Sequence, residues 1–520
     1  MFKFIPKLIL IFIAAGIGLV ILFKIDPLNL QVFKNSKPTG ACPKCNVLLI
    51  DIDILRADSL PCYGYQLDTA PNICNLSQSS LLFKNNFAPD HWTLPSAFST
   101  ITSLYPNLHL IRTAYADRLS PEIPTLAETY QQQGFKTALV GIDDLAVFLS
   151  DSNGGFRGYD LVTEKPIPEV IAEISKTDSR PWFIHYYIGN LHMPYLLPIG
   201  IPPIQDLPAP KFLPKTQLEF NMTLNDYLKK HYQNVFQPRA IAEFKEIILA
   251  PNQLNDTSVA DLFVSLSDIG QGQIPDLYLK GIWDPTYQAY IETFDTANPS
   301  DVAYIKMMYD SQIKLIDVEL GNLFKQLDLT KTISVIYSDH GEAFGEHGKF
   351  GHTADYHSEL YETPLIISAP NLKSQIVESP SSNLDIFPTL IDLSGLKKPA
   401  GLLGKSLVSP TVNLANNQNQ FVMSQVGFDG VILQNQTWLY FLPNQSWGIT
   451  EPILHNKISD PGEKLNVIKD YPELAAKLFQ QASLLASYEV ENLTNPSTPI
   501  IIPTQIKPEQ LEKLKADGYF

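Results

Sequence analysis

The residues best suited to chemistry stand together in Tyr337-Ser338-Asp339-His340-Gly341-Glu342, with Gly345-Glu346-His347-Gly348 close behind. A carboxylate beside an imidazole is a metal-ligand pair, and the glycines let the backbone turn sharply beneath an ion. A second group lies near the start, where Asn46-Val47-Leu48-Leu49-Ile50-Asp51-Ile52-Asp53 is an apolar run ending in carboxylates, followed by Leu55-Arg56-Ala57-Asp58. A third is Trp92-Thr93-Leu94-Pro95-Ser96. Thr93 reads there as a helix N-cap, or as a hydroxyl beside a helix N-terminus, which favours an anionic group.

These groups need elements to bring them together. The apolar stretch 333–337 reads as a buried strand with Asp339 and His340 at its C-terminal end. The run from Asn46 delivers Asp53 in the same way. In open α/β sheets that edge is where sites are built, and distant strand ends converge there, so one ion can collect Asp53, Asp339 and His340. Asp51 shares a strand face with Asp53, and its role is less clear. Further strands are expected at 137–140 and 182–187, and a long helix at 301–327 with Ile305, Met308, Ile313, Ile316, Leu320 and Leu323 on its apolar side. Strand–helix alternation predicts a doubly wound α/β sheet.

Around this core the chain divides by texture. Residues 1–25 carry Lys3 and Lys7, an uncharged apolar run over 8–23 and a closing Lys24, which predicts a transmembrane signal anchor. A cleaved signal peptide is the alternative. The expected divisions are a linker at 26–45, a catalytic domain at 46–410 with an insertion over the site at 197–298, and a C-terminal subdomain at 411–520. In the last, a β segment is expected at 434–442 and a helix at 472–488. The net charge of −16 argues against a nucleic-acid partner. Cys42, Cys45, Cys62 and Cys74 read as disulfides or free thiols, with a zinc site as the alternative.

Together the three groups resemble the sulfatase/alkaline phosphatase superfamily, and its sulfatase-like branch in particular. Cys62-Tyr63-Gly64, Thr69-Ala70-Pro71-Asn72-Ile73, Gly155-Phe156-Arg157-Gly158-Tyr159-Asp160 and Leu514-Lys515-Ala516-Asp517-Gly518-Tyr519 extend the resemblance over most of the chain. It implies an alkaline-phosphatase-like fold, a mixed sheet sandwiched by helices, with a small C-terminal α+β subdomain around Ile458-Ser459-Asp460-Pro461-Gly462-Glu463. It also implies Asp53, Asp339 and His340 as metal ligands, with Thr93 as both a further ligand and the nucleophile. His192 and His352 are then expected to bind the anion or protonate the leaving oxygen. His185 is a substrate contact or a core residue. Arg56 touches substrate or orients Asp53, with a plain salt bridge as the alternative. His347 and His357 are lesser candidates.

The chain departs from the family pattern in five places. Ile54 stands where many sulfatases have a second aspartate, and His340 where they often have asparagine. That favours manganese, zinc or magnesium over calcium, which prefers all-oxygen shells. Ala97 and Ile142 replace an arginine and a lysine. Thr93 occupies the position of the Cys or Ser that becomes formylglycine, and a secondary alcohol cannot yield that aldehyde. The resemblance therefore implies phosphoester hydrolysis or transfer through Thr93, on a phosphodiester, phosphoglycerol or phosphoethanolamine substrate outside the cytoplasm. The alternatives are a sulfuric ester hydrolase without formylglycine and a catalytically silent binder of an anionic glycan or lipid.

Overall fold

Asn46–Ile52 forms β1, the central strand of the molecule. In chain order come β2 (Leu81–Phe87), β3 (Lys136–Val140), β4 (Leu161–Thr163), β5 (Trp182–Ile188) and β6 (Thr332–Tyr337). A short hairpin follows, β7 (Ala343–Phe344) and β8 (Phe350–Gly351). Next are β9 (Glu362–Ser368), β10 (Gln375–Val377) and β11 (Ser381–Ser382). A second sheet is made of β12 (Val422–Gln425), β13 (Gly430–Gln434), β14 (Trp438–Pro443) and β15 (Ile453–Asn456). The structure, a computed structural model, describes residues 40–112, 117–141, 149–176, 179–192, 201–207, 295–409, 419–427, 430–444 and 451–494, together with Tyr195 and Leu197. The expected anchor at 1–25, Ile142, Leu514 to Tyr519 and most of the expected 197–298 insertion lie outside the described residues. No helix among the described residues is long and apolar enough to cross a membrane.

The main sheet runs β10-β2-β9-β6-β1-β5-β3-β4, with β11 beside β2. β1 pairs in parallel with β5 on one side and β6 on the other. β9 alone runs against its neighbours, so the sheet is mixed, as expected. Helices cover both faces, which is why β1 is buried and almost continuously apolar. On one side lie α1 (Pro71–Ser77), α4 (Ile167–Ile174) and the 28-residue α5 (Pro299–Gln326), packed on Leu48, Ile50, Ile184 and Ile336. On the other, α3 (Leu126–Gln132) and α6 (Ile386–Leu393) pack on Val47, Leu49, Phe183 and Val335. Nearby, α2 (Thr93–Thr102) packs toward the second sheet.

The expected β segment at 434–442 is β14 over 438–442, preceded by a turn at 435–437 and the last residue of β13. Asn435 Oδ1 accepts from the backbone N–H groups of Thr437 and Trp438 at 2.9 and 2.8 Å, which closes a tight turn between β13 and β14. The final described helix, α7 (Pro472–Thr494), runs beyond the expected end at 488. The cysteines form two disulfides, Cys42–Cys45 and Cys62–Cys74, and none is free, so the zinc alternative is set aside.

Candidate active site

The β1–β6 pairing builds the centre of the site. Asp51 stands opposite Tyr337, so two residues further along, beyond both strand ends, Asp53 and Asp339 are brought side by side. Ser338 fastens the two turns, because its Oγ accepts from Leu55 N at 2.8 Å and donates to the His340 carbonyl at 2.7 Å. From α5, the Tyr309 hydroxyl donates to Ile54 O and accepts from Arg56 N, each at 2.9 Å. Ile54 holds a left-handed φ of 52°, unfavourable for a β-branched residue. Gly341 cannot be replaced cheaply, since a Cβ there would lie 2.0 Å from the Glu359 carbonyl.

His340 lies 2.8 Å from the Gly341 carbonyl through Nδ1. A carbonyl only accepts, so Nδ1 carries the proton and Nε2 presents a lone pair. That lone pair faces Thr93 Oγ1 at 3.2 Å, Asp53 Oδ1 at 3.5 Å and Asp339 Oδ2 at 3.6 Å. Both carboxylate oxygens are buried with no hydrogen-bond partner. Burial raises the Asp53 pKa, against His192, His352 and a Tyr187 hydrogen bond. It raises Asp339 well above the usual carboxylate range, assisted by the charges of Asp53 and Asp51. His340 is driven well below its ordinary value by burial, then by His352. Buried orphan oxygens converging with an imidazole lone pair fit a divalent cation held by Asp53, Asp339 and His340. Asp51 stands behind them, its Oδ2 accepting from Tyr337 at 2.7 Å.

Thr93 is the first residue of α2, and Trp92 is the N-cap, without a side-chain capping bond. The N-cap reading of Thr93 is therefore corrected. Its hydroxyl is turned to His340 instead, while the helix N-terminus still lies beside it.

The β7–β8 hairpin supplies the second half of the site. Ala343 pairs with Gly351, so the flanking Glu342 and His352 meet, with Nδ1 to Oε1 at 3.2 Å. Glu342 is fully buried, and its other oxygen accepts from Tyr195 at 2.8 Å. The His352 ring lies 4.7 Å from that of His340 and 5.0 Å from that of His192. Burial opposes charge on His352, but the charge and hydrogen bond of Glu342, with Asp53 behind, hold its pKa above the ordinary value. Glu342 and Tyr195 were not singled out from the sequence. The only signal for Glu342 was its place next to Gly341.

Two expected substrate contacts belong elsewhere. Arg56 is occupied by Asp58 at 2.6 Å, Glu346 at 2.7 Å and the Glu342 carbonyl at 2.9 Å, and is a positioning residue that ties the hairpin to the end of β1. His185 sits mid-strand between Leu49 and Leu139. It is buried against Tyr159, whose hydroxyl lies 2.9 Å from its Nδ1, and it is a core residue. The structure thus brings together Asp53, Thr93, His192, Asp339, His340 and His352, and leaves out His185.

Residues 45–396 match the sulfatase family model. Human iduronate 2-sulfatase is 26% identical over 411 residues, covering 68% of this chain and 70% of that protein. Bovine arylsulfatase K is 28% identical over 209 residues, covering 36% of this chain. The chain spans only 38% of the length of that relative. Among solved structures, BT4656 in complex with its substrate D-glucosamine-2-N,6-O-disulfate superposes with a TM-score of 0.57 at 19% identity, covering 86% of this chain and 99% of that one. The phosphonate monoester hydrolase of Agrobacterium radiobacter has a TM-score of 0.56 at 18% identity, covering 86% and 96%. At such identities these structures speak for the fold alone. The family model spans well over half of the 520 residues, on the strand ends and the helix that carry the site, and the chain belongs to the sulfatase family.

Proposed function

We propose that this chain hydrolyses a sulfate ester on a sugar or similarly polar alcohol, with Thr93 as nucleophile. The observation that carries the reading is Thr93 Oγ1 at 3.2 Å from His340 Nε2, within the Asp53–Asp339–His340 cluster. The relatives named above as sulfatases of iduronate and other esters support sulfate ahead of phosphate. That order reverses the one expected from the Thr93 chemistry alone.

Charge supports the same choice. The leading electrostatic neighbours of Asp53, Asp339 and His340 are carboxylates and histidines, and Arg56 is occupied elsewhere. Such a site suits an ester with one negative charge. A sulfate monoester and a phosphodiester each carry one, whereas a phosphate monoester carries about −1.5 to −2. A phosphodiester is accordingly the second reading.

A divalent ion, when bound, lowers the pKa of a hydroxyl beside it and offsets charge on the transferred group. Thr93 Oγ1, its proton passed to solvent, would then form a bond to sulfur while the bond from sulfur to the ester oxygen breaks. His352, held against Glu342 with His192 beside it, would give a proton to the departing alcohol and recover one from the water that follows. Water attacking the sulfated Thr93 releases sulfate and restores the hydroxyl. We further propose that the chain is held at a membrane by 1–25, with the site outside the cytoplasm, a location in keeping with two disulfides. Release of the full chain from membranes by high salt would contradict the anchor.

The test is turnover of an aryl sulfate, glucosamine 6-sulfate, a phosphodiester and a phosphate monoester with added zinc, manganese, magnesium or calcium. Sulfate cleavage is expected. In Thr93→Ala it should fall on the order of 10⁴-fold or more, with metal content kept. Cleavage of the phosphodiester alone would promote the second reading, and undiminished Thr93→Ala activity would remove Thr93 from the chemistry. Binding of sulfated sugar without any turnover would mark a catalytically silent protein.

A further inference from the structure

Outside the ester site, two histidines and a glutamate that the chemistry above does not use converge from three parts of the chain. His347 lies at the tip of the β7–β8 hairpin, His357 lies before β9, and Glu463 follows β15 of the second sheet. One ligand atom from each lies within 4.8 Å of the others. The two imidazoles stack face to face, centroids 3.4 Å apart and planes 10° from parallel, so a ring must turn out of the stack before both in-plane lone pairs meet at one ion. His347 and Glu463 both hold left-handed backbone, with φ of 54° and 49°. Histidine tolerates this conformation, but glutamate rarely adopts it, and such strain tends to gather at functional sites.

The surroundings are those of a ligand set. Asp355 engages His357 Nδ1 at 2.7 Å and is itself held by Lys349 at 3.1 Å. That leaves Nε2 as the free nitrogen of His357, the carboxylate–histidine arrangement that orients metal ligands. Glu463 is buried and fixed by the Ser358 backbone N–H and hydroxyl. Glu359 stands 3.8 Å from His347 Nε2. His455, with its ring 6.0 Å from that of His357, is buried and has an unpartnered Nε2. His347 is partly exposed, which gives an ion a way in.

We propose that His347, His357 and Glu463 form a second divalent-metal site of zinc type, separate from the ester site and bridging the catalytic sheet to the second sheet. Two imidazoles and one carboxylate suit zinc better than calcium or magnesium. Bonds of about 2.0–2.1 Å around tetrahedral zinc set neighbouring ligand atoms roughly 3.3 Å apart, so binding turns the rings and closes the trio by up to about 1.5 Å. The proposal is independent of which ester is cleaved.

The experiment is zinc titration of the chelator-stripped full chain, read by elemental analysis, with cobalt(II) absorption as a second probe. Two zinc equivalents are expected for the wild type and one for His357→Ala. One should also remain in Asp53→Asn/Asp339→Asn, with the visible bands of tetrahedral cobalt. Asp355→Asn, which touches only the orienting carboxylate, should weaken this zinc about 10–100-fold and leave the other in place. The partly exposed His347→Gln serves if His357→Ala does not fold, with circular dichroism as the check. Equal zinc in wild type, His347→Gln and Asp355→Asn would overturn the proposal, as would a folded Asp53→Asn/Asp339→Asn protein that binds none.

Discussion

Glu342 raises the proton affinity of His352. Burial opposes charge on the ring, and the glutamate charge and hydrogen bond, with Asp53 behind, outweigh it. Glu342→Gln should therefore lower the His352 pKa. If His352 is the acid for the leaving alcohol, the alkaline limb of the kcat/KM profile moves to lower pH in this variant, while the acid limb stays. An unmoved alkaline limb would assign the proton to another group. At this scale the sequence was readable where a role follows from strand ends, as for Asp53, Asp339 and His340. It was unreadable where a role follows from pairing across space. Glu342 meets His352 only through the hairpin register, and Arg56 is claimed by Glu346, 290 residues away. His185 failed for a different reason. A histidine three residues short of the end of its strand stays inside the sheet, and only residues past the end reach the edge.

Helix α1 depends on a carboxylate from another helix. Its N-terminal amides at Asn72 and Ile73 donate to buried Asp317 of α5 at 3.1 and 2.8 Å, and the Asn72 side chain adds a bond at 2.8 Å. Asp317→Ala would leave these donors without their acceptor. A loss of about 1–3 kcal/mol is expected, read from urea unfolding. A change below about 0.5 kcal/mol would mean that water replaces the carboxylate. The long helix and the strands beside β1 were legible because their apolar periods are sustained. The turn at Asn435 was not, since a side-chain oxygen that binds two backbone amides leaves no mark on hydrophobic pattern.

Over the whole molecule, acid should be destabilising for a specific reason. Burial pushes His185 down to about 4, and burial with Arg112 nearby pushes His109 down to about 3. In the unfolded chain each titrates near 6.5. As pH falls below that value the unfolded state takes up protons and the folded state does not, so stability drops. Each histidine contributes roughly 1.4 kcal/mol per pH unit across its window. For His185 that window runs from 6.5 down to about 4. His185→Gln should flatten the fall in urea midpoint over that range, and parallel wild-type and variant curves would contradict it.

The position of β1 also governs timing. Among the described residues it is the first strand made, yet one edge of it is completed only when Thr332 comes to lie opposite Asn46. At synthesis rates of 5–20 residues per second, roughly 15–60 s separate the two. Through that interval an apolar strand has an open edge, the condition under which chains pair with the wrong neighbour. Asp53 waits equally long for Asp339, so the site cannot gather its ion until most of the chain has left the ribosome.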